Sequence, residues 1–201
     1  MSNEDYLKDI SEIKQLMNRS SRFISLSGLS GIFAGIYAIV GALIVYFFLF
    51  PEPGDYLILD SWQFRWLLID LGAVALLSVL TAYLLTTSKA KRNDEKIWDA
   101  TTQRLLLHFL IPLVAGGIYI LIKLNSQHYG LTGSLMLLFY GLALINASKY
   151  TIGNIKYLGY VEVVLGLICA AFPGYGFWFW VLGFGVCHII YGSLMYVAEK
   201  K

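Results

Sequence analysis

Apolar residues fall in six long blocks separated by short polar stretches, at residues 23–50, 66–86, 105–124, 131–147, 157–172 and 175–197. A helix needs about 20 apolar residues to cross a bilayer, and these blocks have that character. The fourth and fifth are short, so they must tilt little, thin the bilayer or be shielded by neighbouring helices. Residues 1–22 are patterned differently. Ser2-Asn-Glu-Asp5 fits a capping box, and Leu7, Ile10, Ile13 and Met17 recur at helical spacing. The pattern predicts an all-α membrane protein with six transmembrane helices in three tandem hairpins over residues 23–198. A short N-terminal amphipathic helix over residues 1–22 lies on the cytoplasmic side.

Composition supports that class. The chain is 58% hydrophobic and 14% charged, against about 25% charged in soluble domains. Orientation follows from the bases alone: with six spans and an inner N-terminus, 13 of the 15 Lys and Arg residues fall inside, and only Arg65 and Lys123 outside. Both termini are therefore expected on the cytoplasmic side. The N-terminal helix balances Glu4, Asp5, Asp9 and Glu12 against Lys8, Lys14, Arg19 and Arg22, so docking on protein suits it better than anionic lipid. Asn93 is the expected cap of a helix carrying Trp98 at the membrane surface into the third span. Cys169 and Cys187 lie at different depths and read as small buried hydrophobes rather than a disulfide.

Small residues mark helix contacts. In the first span Ser27, Gly31 and Gly35 recur every four residues. Such a stripe lets another backbone approach closely where the hydrophobic effect gives no help. A weak internal repeat accompanies it: Ala34-Gly-Ile-Tyr37 resembles Gly116-Gly-Ile-Tyr119, and Tyr140-Gly-Leu-Ala-Leu-Ile-Asn-Ala147 resembles Tyr191-Gly-Ser-Leu-Met-Tyr-Val-Ala198. The matched segments run in one direction, as three parallel hairpins would.

These residues also carry a family likeness. The stretch from Arg19 to Tyr37, Phe139-Tyr-Gly-Leu-Ala-Leu-Ile-Asn-Ala-Ser148 and Phe172-Pro-Gly-Tyr-Gly176 resemble an uncharacterised family of bacterial six-span inner-membrane proteins. The likeness implies a multi-pass protein of the bacterial inner membrane and no particular activity. Members are often encoded beside a small winged-helix regulator, which makes a cytoplasmic regulator one expected partner.

Four ionisable groups fall inside the spans: Asp70, His108, Glu162 and His188. A charge at mid-bilayer costs about 2.5–3.5 kcal/mol on insertion scales, so such groups face partners or water. At 1.5 Å per residue, Glu162 lies roughly 9 Å in from Lys156, His188 roughly 12 Å in from Tyr196 and His108 roughly 6 Å in from Arg104. All three are expected to meet in the inner leaflet, as a proton relay or as polar glue between helices. Asp70 is expected to pair with Arg65 or Lys123 as a structural ion pair. Three scattered histidines give no metal site, and no cofactor motif is present. Gly28-Leu-Ser-Gly31 resembles the rhomboid peptidase motif, but it lies on the wrong span and lacks that family's second-span His/Asn pair. A packing stripe explains it without catalysis.

The chain reads as a non-enzymatic assembly or regulatory protein of the membrane. It would pack through the first-span stripe, with itself as a candidate partner, would meet a cytoplasmic partner through its inner basic loops, and would bind no nucleic acid directly. The alternative is a small proton-linked transporter centred on Glu162, His108 and His188.

Overall fold

The computed structural model describes residue 10 and residues 27–49, 61–92, 97–151, 154–172 and 174–199. The expected amphipathic helix over residues 1–22 lies outside them apart from Ile10, as does Asn93, the expected cap before the third span. Six helices follow one another: α1 Gly28–Leu49, α2 Trp62–Arg92, α3 Ala100–Asn125, α4 Thr132–Ala147, α5 Ile155–Ala171 and α6 Gly176–Glu199. The last turn of α1, Val45–Leu49, and the middle of α6, Val181–Cys187, are π-helical. A 3-10 turn, Ser148–Tyr150, closes α4.

The local sequence sets these boundaries. The Ser61 hydroxyl accepts the Phe64 N–H at 3.2 Å and starts α2. At α3 the Asp99 carboxylate accepts the Thr102 N–H at 2.7 Å and its hydroxyl at 2.8 Å. The helix therefore opens at Ala100, and Trp98, expected within it, stands before the cap. Between α5 and α6 the chain turns at Gly174, whose φ of 96° a side chain would strain.

Helices α1, α2, α3 and α6 are long and apolar enough to cross a membrane, and the chain is a helical membrane protein on that ground. Helices α4 and α5 have 16 and 17 residues, about 24 and 26 Å, against a hydrocarbon core of about 30 Å. Burial runs opposite to length. Leu137, Ala143, Leu144, Leu158 and Glu162 of the two short helices are buried, whereas the 31-residue α2 buries Ala90 alone. Of the three ways to accommodate a short span, shielding by neighbours is the one visible here.

Packing departs from a plain run of hairpins. Successive helices pair in α1–α2 and α3–α4, but α5 lies mainly along α4, and α6 lies mainly along α1. The part of α6 that meets α5 is its first part, Gly176–Cys187, with His188 beside it, and the first turn of α6 also rests on α4. Two groups result, α1–α2 with α6 from Val181 onward, and α3–α4–α5, and the first turn of α6 joins them.

Glycines permit the closest crossings. A Cβ on Gly31 would stand 3.1 Å from the Gly192 Cα, and one on Gly35 would stand 2.6 Å from the Gly185 carbonyl oxygen. The first-span stripe is thus used inside the chain, against α6. Ser27 is buried at the head of the same stripe, its carbonyl accepting from the Ser30 N–H and hydroxyl. An equivalent crossing joins α4 to α5. A Cβ on Gly141 would meet the Gly159 oxygen at 2.7 Å, and one on Gly159 the Gly141 oxygen at 2.8 Å. The repeated Tyr-Gly pairs, Tyr140-Gly141 and Tyr191-Gly192, therefore serve the same purpose in the two crossings. In the other matched pair, Gly35 is packed while Gly117 faces open space.

A carboxylate locks the same end of three helices. Glu199 Oε1, at the end of α6, accepts the Gly28 N–H of α1 at 2.8 Å and pairs with Lys89 of α2 at 3.1 Å. No Ser27 side-chain bond caps α1, so Glu199 does that work from another helix, where a negative charge also suits the helix dipole. Glu199→Ala is expected to cost about 0.5–2 kcal/mol, the range for losing a cap. Thermal unfolding in detergent measures it, and Glu199→Gln should recover only part of the loss.

Candidate functional site

Three polar side chains, Glu162 and His188 buried and Tyr140 half-buried, meet where α4, α5 and α6 converge. Glu162 of α5 is 0% exposed and His188 of α6 is 5% exposed. His188 Nδ1 lies 2.9 Å from the Gly183 carbonyl oxygen and 3.5 Å from Glu162 Oε1. Its Nε2 lies 2.8 Å from the Tyr140 hydroxyl of α4. A carbonyl only accepts, so Nδ1 carries a hydrogen, and in the neutral ring Nε2 accepts from the Tyr140 O–H. The tautomer follows from those two partners.

Glu162 is held differently. Neither carboxyl oxygen has a hydrogen-bond partner among the described residues, and 3.5 Å to Nδ1 is long for a hydrogen bond. The carboxyl rests against Gly183, where a Cβ would stand 2.5 Å from Oε2. Gly183 thus serves twice: its missing side chain makes room for the carboxyl, and its carbonyl orients the imidazole. It belongs to the π-helical stretch Val181–Cys187, a distortion often found at functional sites. Leu137 and Ser134 of α4 close the neighbourhood; the Ser134 hydroxyl donates to the Gly166 carbonyl at 2.7 Å. Along α6, the Phe184 ring stacks on His188 at 5.8 Å and lies tilted against Trp180 at 5.2 Å.

This arrangement can pass one proton across the imidazole. A proton that reaches Nε2 from the Tyr140 side gives an imidazolium whose Nδ1–H faces both Gly183 and Glu162. Loss of that Nδ1 proton to the carboxylate completes a hop through the ring. His188 is hydrogen-bonded across the helices to Tyr140, as polar glue would be, whereas the Glu162 carboxyl has no hydrogen-bond partner among the described residues.

His108 does not join them. Its Nε2 lies 2.9 Å from the Tyr150 hydroxyl, and its ring stacks on Tyr150 at 4.8 Å. Asn146 Nδ2 donates to the His108 backbone carbonyl at 2.9 Å and lies 3.4 Å from Nδ1. The cause is Pro112. In α3 the His108 carbonyl would accept from residue 112, which has no N–H. Asn146 replaces the missing donor from α4, as neighbouring helices do within membranes. Counting depth could not reveal this, because depth places His108 at the right height but not on the right face. The proline was the available signal: four residues before it a carbonyl must find a donor elsewhere.

That substitution of donors predicts an energetic coupling. Asn146→Ala should destabilise by about 1–3 kcal/mol, leaving a carbonyl unpaired. In a Pro112→Ala background the backbone N–H returns and most of that cost should vanish. A double-mutant cycle by thermal unfolding tests it; additive effects would show that Asn146 acts elsewhere.

Asp70 also departs from expectation. It makes no ion pair with Arg65 or Lys123 among the described residues. Its carboxylate faces α1, with Oδ2 2.9 Å from the position of a Cβ on Gly41, while Lys123 lies 5.6 Å over the Tyr119 ring. Helix α3 packs on α4 and α2 on α1, which separates the two expected partners. Tyr37 and Thr81 hydroxyls supply a polar link between α1 and α2, at 3.1 Å. Both cysteines are free, and no group of metal-binding side chains occurs among the described residues. Tyr140, Gly183, Asn146 and Tyr150 were not among the residues singled out from sequence as a site. Tyr140 and Asn146 do lie in the segment that carried the repeat and the family likeness. Compared with known proteins, the chain matches no family model, no curated protein and no solved structure.

Proposed function

We propose that this protein is a proton-linked transporter or permeation protein of the bacterial inner membrane. In this reading it has six spans, both termini are cytoplasmic, and the Glu162–His188–Tyr140 array is its proton site. One observation carries the reading: a carboxyl 0% exposed, with neither oxygen hydrogen-bonded among the described residues, 3.5 Å from an imidazole. Buried ionisable groups within a membrane domain are costly and mark function by default. Crossing by α4 and α5 as well is supported by their burial among longer helices, and it restores the inner position of the basic segments.

The site lies at the joint of the two helix groups. Glu162 belongs to the α3–α4–α5 group, and His188 to the part of α6, from Val181 onward, that lies along α1. A change in proton number at this contact alters how tightly the groups dock, which is the element a proton-linked protein needs. The array is sealed in this conformation, so exchange with either side requires that joint to open.

An assembly or regulatory role, with the chain itself or a cytoplasmic regulator as partner, is the other reading. The stripe that suggested it is occupied by α6, so it now rests on the basic inner segments alone. Backbone hydrogen exchange in reconstituted protein at about pH 5 and about pH 8 tests the proton-linked reading, a range that spans imidazole titration. The expected result is a pH-dependent change in protection confined to α6 and the α5 segment facing it, beyond the intrinsic change in exchange rate. Identical protection at both pH values would sink the reading.

A further inference from the structure

Between α3 and α4 lies an open cleft of about 340 Å³, lined by Pro112, Phe139, Leu142, Ile145, Asn146 and Lys149. Its chemistry is graded. Pro112, Phe139, Leu142 and Ile145 are apolar, Asn146 supplies an amide, and Lys149 stands in the 3-10 turn at the end of α4. A second base stands on the same face of α3: Arg104 precedes His108 by one turn, and the His108 ring touches Tyr150, the neighbour of Lys149. Both bases are exposed, and neither makes an ion pair among the described residues. Helix α3 is almost wholly exposed along its apolar length, with 6% of its spanning window buried. The cleft therefore opens toward the acyl chains.

We propose that this cleft binds one glycerophospholipid with an anionic headgroup, its phosphate between Lys149 and Arg104 and an acyl chain along Pro112, Phe139, Leu142 and Ile145. Charge complementarity selects the headgroup, and the apolar floor selects a lipid over a soluble anion. Basic pockets between spans at the cytoplasmic face bind anionic lipids in this manner. The volume is at the lower end for a ligand pocket, enough for part of one chain with the remainder in the bilayer. This site is separate from the Glu162 array and does not depend on how that array functions.

The test is native mass spectrometry of the full chain released from nanodiscs of phosphatidylglycerol mixed equally with phosphatidylcholine. Wild-type protein is expected to retain phosphatidylglycerol preferentially, in a one-to-one complex. Lys149→Gln and Arg104→Gln should each lower that preference about fivefold, as expected for losing one base near an anionic surface. Both side chains are exposed, so the fold should survive, which thermal unfolding verifies. Lys123→Gln, at the opposite end of α3, should leave the preference unchanged. Equal retention of the two lipids by wild-type protein, or a preference that survives the double substitution, would overturn the proposal. Retention lost equally in Lys123→Gln would do the same, since it would reveal a diffuse charge effect rather than a site.

Discussion

Glu162→Gln is expected to leave the protein folded and to abolish the pH-dependent change in hydrogen exchange across α5 and α6. The amide is nearly isosteric and carries no labile charge. Removing a partner from a buried network usually costs about 1–3 kcal/mol, because the group left behind is unsatisfied. Here there is almost nothing to leave behind, since neither carboxyl oxygen has a hydrogen-bond partner among the described residues and His188 keeps Gly183 and Tyr140. The cost in stability should therefore stay within about 1 kcal/mol, ordinary for an isosteric change without lost partners. Glu162→Met sharpens the contrast. An unbranched apolar side chain fills the space beside Gly183 without polar atoms, and replacing buried charged groups by apolar ones of similar volume is neutral or stabilising by about 1–4 kcal/mol. A more stable protein that no longer responds to pH would mark a residue kept for function at the expense of stability. Thermal unfolding and hydrogen exchange on the same two variants decide it. If both lose several kcal/mol, the carboxyl is structural glue and the proton-linked reading fails.

Much of the architecture was legible in the chain because it rests on local quantities. The long apolar blocks mark the four helices that can span, and the short lengths of residues 131–147 and 157–172 left little tilt, bilayer thinning or shielding open, of which the packing shows shielding. Glu162 and His188 were placed at matching depth by counting residues, and they do meet. What counting could not supply is azimuth. His108 has a suitable depth but faces Asn146 and Tyr150, because the carbonyl freed by Pro112 fixes that side of α3 against α4. Asp70 and Lys123 were candidate partners in sequence, yet their helices pack on different neighbours. The pairing of α6 with α1 also escaped a hairpin picture, since it depends on glycines 150 or more residues apart. A trace of it was present, however. Gly28 and Gly35, Gly159 and Gly166, and Gly185 and Gly192 are each separated by seven residues, two helical turns, and so recur on one face. All six pack against another helix.

Those glycines give the second large effect, in which one chemical change has opposite signs at two sites. Gly192→Ala is expected to destabilise severely, and Gly192→Val to yield no folded protein. A Cβ there would stand 2.5 Å from the Ile32 backbone nitrogen and 2.8 Å from the Gly28 carbonyl oxygen. Those are backbone atoms of α1, so relief requires the two helices to separate, not one side chain to turn. Overpacking costs about 1–3 kcal/mol where neighbours can shift; here the displacement also pulls Gly28 from Glu199, whose bond caps α1. Gly72→Ala and Gly117→Ala face the reverse situation. Nothing lies within 4 Å of a Cβ at either position, and alanine restricts the unfolded chain and favours the helix by about 0.5–1 kcal/mol. Each should unfold at or above the wild-type temperature. The comparison also separates the two uses of the first-span stripe. If Gly31 and Gly35 served only contacts between copies, Gly35→Leu would give a folded protein that fails to associate. Packed 2.6 Å from the Gly185 oxygen, it should instead fail to accumulate as a folded monomer. Size-exclusion chromatography with light scattering distinguishes the two, and a stable, monodisperse Gly35→Leu monomer would show that the α1–α6 crossing is not what holds this bundle together.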